Sequence, residues 1–204
     1  MTDHYYSNRP ATKHDERLIQ VTIRDMHFSF WTDAGVFSKS GIDYGSRLLI
    51  ETMEIPVDAA VLDVGCGYGP IGIAAAKLAR EGHVLMLDVN ERAVSLAKRN
   101  IRQNGVTNAE AMVSDLYTSV GSETFDRILT NPPIRAGKRV VHKIFEEAVD
   151  HLRKEGELWI VIQKKQGAPS AKKKLESLFM TVEDVARSAG YHILRAKHPS
   201  KYFS

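Results

Sequence analysis

The chain has 204 residues, 43% hydrophobic and 26% charged, enough for one globular domain with a sizeable core. Its 28 Lys and Arg against 25 Asp and Glu leave a net charge of +3, which permits a nucleic-acid partner without requiring one. One cysteine, no apolar leader, no run of roughly 18 apolar residues and eight scattered histidines speak against a disulfide scaffold, secretion, membrane insertion and a zinc site.

Residues 1–16 are polar and read as a flexible lead-in, with 17–204 as a single domain and a reducing cytoplasm as the expected compartment. From Leu18 to Trp31 apolar and polar residues alternate on either side of Asp25-Met26, the period-two pattern of a hairpin that covers or flanks the main fold. A loop over 35–45 leads to a short helix at 46–52. Strands are then expected at 59–64, 83–88, 109–114, 125–130 and 157–162, with helices at 70–80, 90–104, 139–153 and 170–179. The strands are nearly continuous Val, Ile and Leu, as in sheets covered on both faces, so the fold class is α/β with a mostly parallel, doubly wound sheet. Residues 181–187 and 191–198, about Gly190, read as a closing antiparallel hairpin, with helix over 182–189 as the alternative.

In such a sheet a ligand lies beyond the carboxyl ends of the strands, so the residues just past each end carry the information. The first end, Asp63-Val64-Gly65-Cys66-Gly67-Tyr68-Gly69-Pro70, runs a buried strand into a glycine turn and a helix, where bare N–H groups suit a nucleotide-like ligand; a purely structural turn is the alternative. Pro70 stands where the dinucleotide fingerprint requires its third glycine, which speaks against NAD. The second end, Asp88-Val89-Asn90, offers a carboxylate to ribose hydroxyls while Asn90 is placed to cap the next helix. The third holds Asp115, suited to the amino group of adenine or to a solvated turn, and Leu116, able to pack on the ring.

The fourth end is Thr130-Asn131-Pro132-Pro133-Ile134. Two prolines stiffen the backbone and remove donors, leaving the Asn131 side-chain oxygen and the Pro132 carbonyl as converging acceptors able to grip an –NH₂ group.

These segments together resemble class I S-adenosylmethionine-dependent methyltransferases. Asp-x-Gly-x-Gly-x-Gly is similar to their first motif, and Asn-Pro-Pro to the fourth motif of members acting on planar amino nitrogens. From about Trp31 onward the chain resembles small-domain methyltransferases typified by the bacterial enzymes that methylate guanine N2 in 16S ribosomal RNA. The resemblance implies a Rossmann-like methyltransferase domain with an N-terminal hairpin extension and a C-terminal antiparallel hairpin. It implies S-adenosylmethionine held by Phe37, Asp63, Gly65, Cys66, Gly67, Gly69, Asp88, Val89, Asp115, Leu116 and Asn131, with segment 35–46 approaching its methionine end. Catalysis falls to Asn131, Pro132, Pro133 and Ile134. Two departures matter: the family's two-domain members carry an additional N-terminal domain that this sequence does not show, and Ile134 stands where an aromatic residue usually stacks on the target base.

Two acid-free basic runs complete the reading: Arg135, Lys138, Arg139 and Lys143 after the fourth strand, and Lys164, Lys165, Lys172, Lys173 and Lys174 after the fifth. Arg135, Lys138, Arg139, Lys164 and Lys165 are the expected phosphate contacts, with a solvated helix face as the alternative. The expected partner is ribosomal RNA or the small ribosomal subunit, and no metal or membrane is involved. Methylation of a glutamine amide in a translation protein, or a non-catalytic binding module, are the alternatives.

Overall fold

A computed structural model describes residues 14–36, 38 and 41–203, so the expectation for Phe37 lies outside the described residues. The period-two stretch near the start forms strands β1 (Arg17–Ile23) and β2 (Met26–Thr32), an antiparallel pair separate from the main sheet. Their turn is Arg24-Asp25, at φ 53° and 59°, one residue earlier than the sequence suggests. Two successive left-handed residues match the twist of the flanking strands, which ordinary turns splay apart.

The chain then alternates: α1 (Tyr44–Thr52), β3 (Ala60–Val64), α2 (Pro70–Leu78), β4 (His83–Asp88), α3 (Glu91–Gln103), β5 (Ala109–Val113), β6 (Phe125–Thr130), α4 (Lys138–His151), β7 (Leu152–Gln163), α5 (Ala168–Glu176), β8 (Phe179–Ser188) and β9 (Tyr191–Pro199). The seven-stranded sheet has the order β5-β4-β3-β6-β7-β9-β8, parallel except for β9, which runs antiparallel to both its neighbours. This is the expected doubly wound α/β fold with a closing hairpin. The helical alternative for 182–189 fails because β9 satisfies that backbone along its length, and Ala189-Gly190, at φ 48° and 80°, makes the turn. Strand β7 begins at Leu152, opposite Phe125, and residues 153–156 bulge before Glu157 pairs with Arg127, so α4 stops short of its expected end.

Strand alternation divides the core. Val61, Met86, Leu129 and Trp159 face α1, α2, α3 and the β1–β2 hairpin, whereas Leu62, Leu85, Ile128 and Leu158 face α4 and α5. Gly72 on α2 permits the close approach of helix to sheet, since a Cβ there would stand 2.2 Å from Met86 Sδ. Among the described residues no helix is long and apolar enough to cross a membrane.

The hairpin is a flank. Phe28 and Phe30 are buried and stacked, Phe30 with Tyr68 at its edge, and the free edge of β2 is closed by two asparagines one turn apart, Asn100 on α3 and Asn104 at its C-cap. Asn100 accepts from Trp31 N at 2.7 Å and donates back to Trp31 O at 2.9 Å; Asn104 repeats the exchange with Ser29 at 3.0 and 2.8 Å. A primary amide offers the same donor and acceptor as a peptide, so the pair acts as a short substitute strand. Fully buried Asn100 also donates to Tyr68 O at 2.8 Å, which couples the hairpin to the glycine turn.

Asn100→Ala is expected to lower the unfolding free energy by about 2–4 kcal/mol, because it strands buried backbone groups, and Asn104→Ala by about 1 kcal/mol. Urea denaturation checks both, and an unchanged midpoint for Asn100→Ala contradicts the coupling.

Candidate active site

Strand order reverses on either side of β3, since the chain moves outward through β4 and β5 and returns to lay β6 on the opposite edge. A crevice opens at such a reversal, beyond the carboxyl ends of the strands. Here it is a cleft of about 900 Å³, counting the part open to solvent. Gly65, Cys66, Gly67 and Tyr68 form one wall, Asp88, Val89, Ser114 and Leu116 a second, and Asn131, Pro132 and Pro133 a third. Val36, Ser38, Asp43 and Ser46, from the segment entering α1, close the remaining side.

The glycine turn does not present bare donors as its sequence suggests. Gly65 N and Cys66 N both donate to Leu87 O, at 2.8 and 2.9 Å, and Gly67 N donates to Asp88 Oδ2 at 2.8 Å. The turn is thus laced to the end of β4, and what it offers a ligand is space: no atom lies within 4 Å of where a Cβ would stand on Gly65 or Gly67. Gly67, at φ 58°, also needs the left-handed backbone that glycine adopts without strain. Gly69 is not part of the wall; it precedes α2 as its N-cap.

Asp88 lines the cleft as expected. Burial pushes its carboxyl pKa up, against the pull of the N–H groups that bond it, those of Asn90 and Gly67. Each of its oxygens holds one backbone donor and retains a lone pair for a ligand hydroxyl. Asn90 caps α3 through Arg92 N and Ala93 N, the role its position suggested.

Asp63, expected among the ligand contacts, does not line the cleft. It faces the α2 side of β3, fully buried, where Oδ2 accepts from Gly72 N at 2.8 Å and Oδ1 has no partner among the described residues. Burial drives its pKa up to about 7, against the Gly72 hydrogen bond and with a further push from Asp88. Its place is beneath the turn, pinning the start of α2. Asp115 is likewise off the wall: it is exposed, and its carbonyl accepts from Thr118 N while neighbouring Ser114 and Leu116 line the cleft.

Asn131 and Pro132 stand at the wall as expected. Asn131 Nδ2 donates to Ser46 Oγ at 3.0 Å and to Asp43 Oδ1 at 3.3 Å, and its Oδ1 has no donor among the described residues. The Pro132 carbonyl is also without a partner there, whereas that of Pro133 accepts from Ala136 N. Thr130 Oγ1 donates to Val64 O at 2.9 Å and fixes the end of β6 against β3. Ile134 turns away: it opens a short 3-10 turn, is half-buried and packs on the α4 side of the core, so it does not line the cleft.

Sequence reading brought segment 35–46 to the ligand but gave Asp43 and Ser46 no role of their own. The signal was an acid three residues before a serine at a helix start, an N-cap spacing, and Asp43 does cap α1 by accepting from Ser46 N at 3.0 Å. That this helix points its N-terminus at Asn131 is a tertiary fact.

Arg135, Lys138, Arg139, Lys164 and Lys165 are all exposed, without acidic partners among the described residues, and follow the carboxyl ends of β6 and β7. Of the other lysines of the two runs, Lys143 pairs with Glu147, Lys172 with Glu176 and Lys174 with Glu146, and Lys173 is exposed with no acidic partner among the described residues.

A buried carboxyl with a raised pKa makes stability depend on pH. Between about pH 4 and pH 7 the folded chain holds a proton on Asp63 that the unfolded chain has lost, so stability falls as pH rises, by at most about 1.4 kcal/mol per unit. Urea unfolding of the wild type relative to Asp63→Asn across this range is expected to show that slope, and parallel profiles contradict it.

Residues 27–195 match the family model described as the methyltransferase small domain. The chain is 54% identical over 199 residues to uncharacterized protein YbxB of Bacillus subtilis, covering 97% of this chain and 99% of that one. It is 32% identical over 166 residues to ribosomal RNA small subunit methyltransferase C of Escherichia coli, covering 79% of this chain but only 47% of that protein, about half its length. Among solved structures, the Thermus thermophilus 16S rRNA N2 G1207 methyltransferase in complex with AdoMet and guanosine superposes with a TM-score of 0.79 at 24% identity, over 93% of this chain and 52% of that one. A ribosomal protein L11 methylase from Lactobacillus delbrueckii superposes at 0.62, with 23% identity, over 76% of this chain and 77% of that one. The family match spans both the glycine turn and the Asn-Pro-Pro wall, and the chain belongs to the methyltransferase small domain family, an S-adenosylmethionine-dependent methyltransferase.

Proposed function

We propose that this chain, with residues 17–204 acting as one domain in the cytoplasm, methylates the exocyclic N2 amine of a guanine in 16S ribosomal RNA. The observation that carries the reading is a pair of acceptors at the cleft with no donor among the described residues, Asn131 Oδ1 and the Pro132 carbonyl, followed in the chain by cations with no acidic partner there. The relatives named as ribosomal RNA methyltransferases support the choice of substrate.

The cleft fits S-adenosylmethionine: the space over Gly65 and Gly67 admits a ligand against main chain, Asp88 retains acceptor capacity for ribose hydroxyls, and Val89 and Leu116 offer apolar contact to an adenine ring. S-adenosylmethionine supplies an electrophilic methyl group on sulfur. The chain's own contribution is orientation and electrostatics. The amine lone pair of guanine is delocalised into the ring; acceptors on its two hydrogens favour a pyramidal nitrogen and turn that lone pair toward the methyl carbon. They also stabilise the positive charge that develops on nitrogen as the N–C bond forms and the methyl–sulfur bond breaks to leave a neutral thioether, after which the nitrogen gives up one of its protons to solvent. Arg135, Lys138, Arg139, Lys164 and Lys165 hold the phosphates on either side of the target nucleotide.

One observation favours a second reading, methylation of a glutamine amide in a translation protein: Ile134, at the position after Asn-Pro-Pro, packs against the α4 side of the core and offers a flipped base no stacking face.

Labelled methyl groups supplied on S-adenosylmethionine are expected to enter 16S RNA of small subunits from cells lacking this protein. Asn131→Ala is expected to lower kcat by about 10² to 10³ while cofactor affinity is unchanged. Joint charge-neutral replacement of Arg135, Lys138 and Arg139 is expected to reduce the salt slope of log RNA affinity by about 0.7 to 0.9 for each phosphate no longer neutralised. Label appearing in a protein, with RNA affinity and its salt slope unaltered, moves glutamine methylation to the front.

A further inference from the structure

Asn131 serves an amine only if its amide points the right way. With Oδ1 toward the substrate it accepts the amine's hydrogens; rotated by half a turn, it would oppose –NH₂ with –NH₂. Nothing in Asn-Pro-Pro itself selects between the two, since oxygen and nitrogen of an amide are nearly isosteric. The choice is made by what lies behind it.

Two side chains lie there, both from the start of α1, 85 and 88 residues away in sequence: Ser46 Oγ at 3.0 Å and Asp43 Oδ1 at 3.3 Å from Asn131 Nδ2. They differ in what they dictate. A serine hydroxyl donates or accepts with equal ease and tolerates either end of the amide; a carboxylate only accepts. Asp43 is itself immobilised, because the same Oδ1 accepts from Ser46 N at 3.0 Å at the N-terminus of a nine-residue helix, where the backbone dipoles favour negative charge.

We infer that Asp43 is a positioning residue that sets the polarity of the substrate site, forcing the Asn131 amide to present oxygen to the target amine. The inference rests on the reading of Asn131 as the amine's acceptor. It makes the helix cap and the methyl-transfer wall one device: α1 holds Asp43, Asp43 holds the Asn131 –NH₂ group, and the remaining acceptor faces the cleft. Asp43 does its work without contacting the reacting atoms.

Asp43→Ser separates this role from the cap. Serine is as good an N-cap as aspartate, so α1 keeps its first bond, but a hydroxyl donates or accepts and tolerates either end of the Asn131 amide, which removes the bias. The expected result is a kcat about tenfold lower or more, because a charge-assisted hydrogen bond is removed, with unchanged binding of S-adenosylmethionine by calorimetry and an unchanged thermal midpoint. Ser46→Ala, which removes a partner indifferent to orientation, is expected to lower kcat less. A double-mutant cycle supplies the readout a structural role does not move: in the Asn131→Ala background, Asp43→Ser should lower kcat no further. An unchanged kcat for Asp43→Ser, or an equal reduction in both backgrounds, overturns the inference while leaving Asn131 as the acceptor. An unchanged kcat for Asn131→Ala overturns the reading of the site together with it.

Discussion

Everything in the cleft depends on β3 being paired in parallel with β4 on one side and β6 on the other. That arrangement brings the carboxyl ends of three strands to one edge and opens a gap where the strand order reverses. It also makes β3 the most enclosed strand, buried at all five positions, so the turn that follows it starts from a fixed point. The glycine turn, Asp88 and Asn131 are spread over more than 60 residues of chain yet meet because their strands share this sheet.

The cleft is prepared by satisfying the groups around it in advance. The donors of the glycine turn are taken up by Leu87 O and Asp88, so the turn and the end of β4 form one rigid floor. Asp63 props that floor from below through Gly72, and Asn100 ties Tyr68 back to the hairpin. Beside these satisfied donors, Asn131 Oδ1 and the Pro132 carbonyl have no donor among the described residues, and neither do buried Asp63 Oδ1 and the Tyr68 hydroxyl find a partner there. Open acceptors at a cleft wall are where a substrate's donors belong.

Charge is distributed by the same logic. Both basic runs are free of acids along the sequence, but packing of α4 against α5 brings Glu146 to Lys174, and helix spacing brings Glu147 to Lys143 and Glu176 to Lys172. What stays without an acidic partner among the described residues is Arg135, Lys138 and Arg139 after β6, Lys164 and Lys165 after β7, and Lys173 farther along α5.

The architecture and the identity of the wall were legible in the residues alone. Apolar runs of strand length alternating with helical segments impose a parallel sheet covered on both faces, and prolines after Asn131 leave few conformations besides an exposed pair of acceptors. Strand ends therefore placed Gly65, Gly67, Asp88 and Asn131 together, and in the structure all four line one cleft. Direction and partnership emerged in three dimensions. Asp63 and Asp88 each follow apolar residues of a strand and read alike; side-chain alternation turns one beneath the turn and the other into the cleft. Ile134 follows the prolines in sequence, yet the 3-10 turn there carries it onto the α4 face. Asp43 and Ser46 look like an ordinary helix cap, and no local pattern reports that the helix aims at Asn131. Sequence periodicity records which face of an element is apolar; what that face meets depends on contacts far apart along the chain, and those exist only once the sheet has closed.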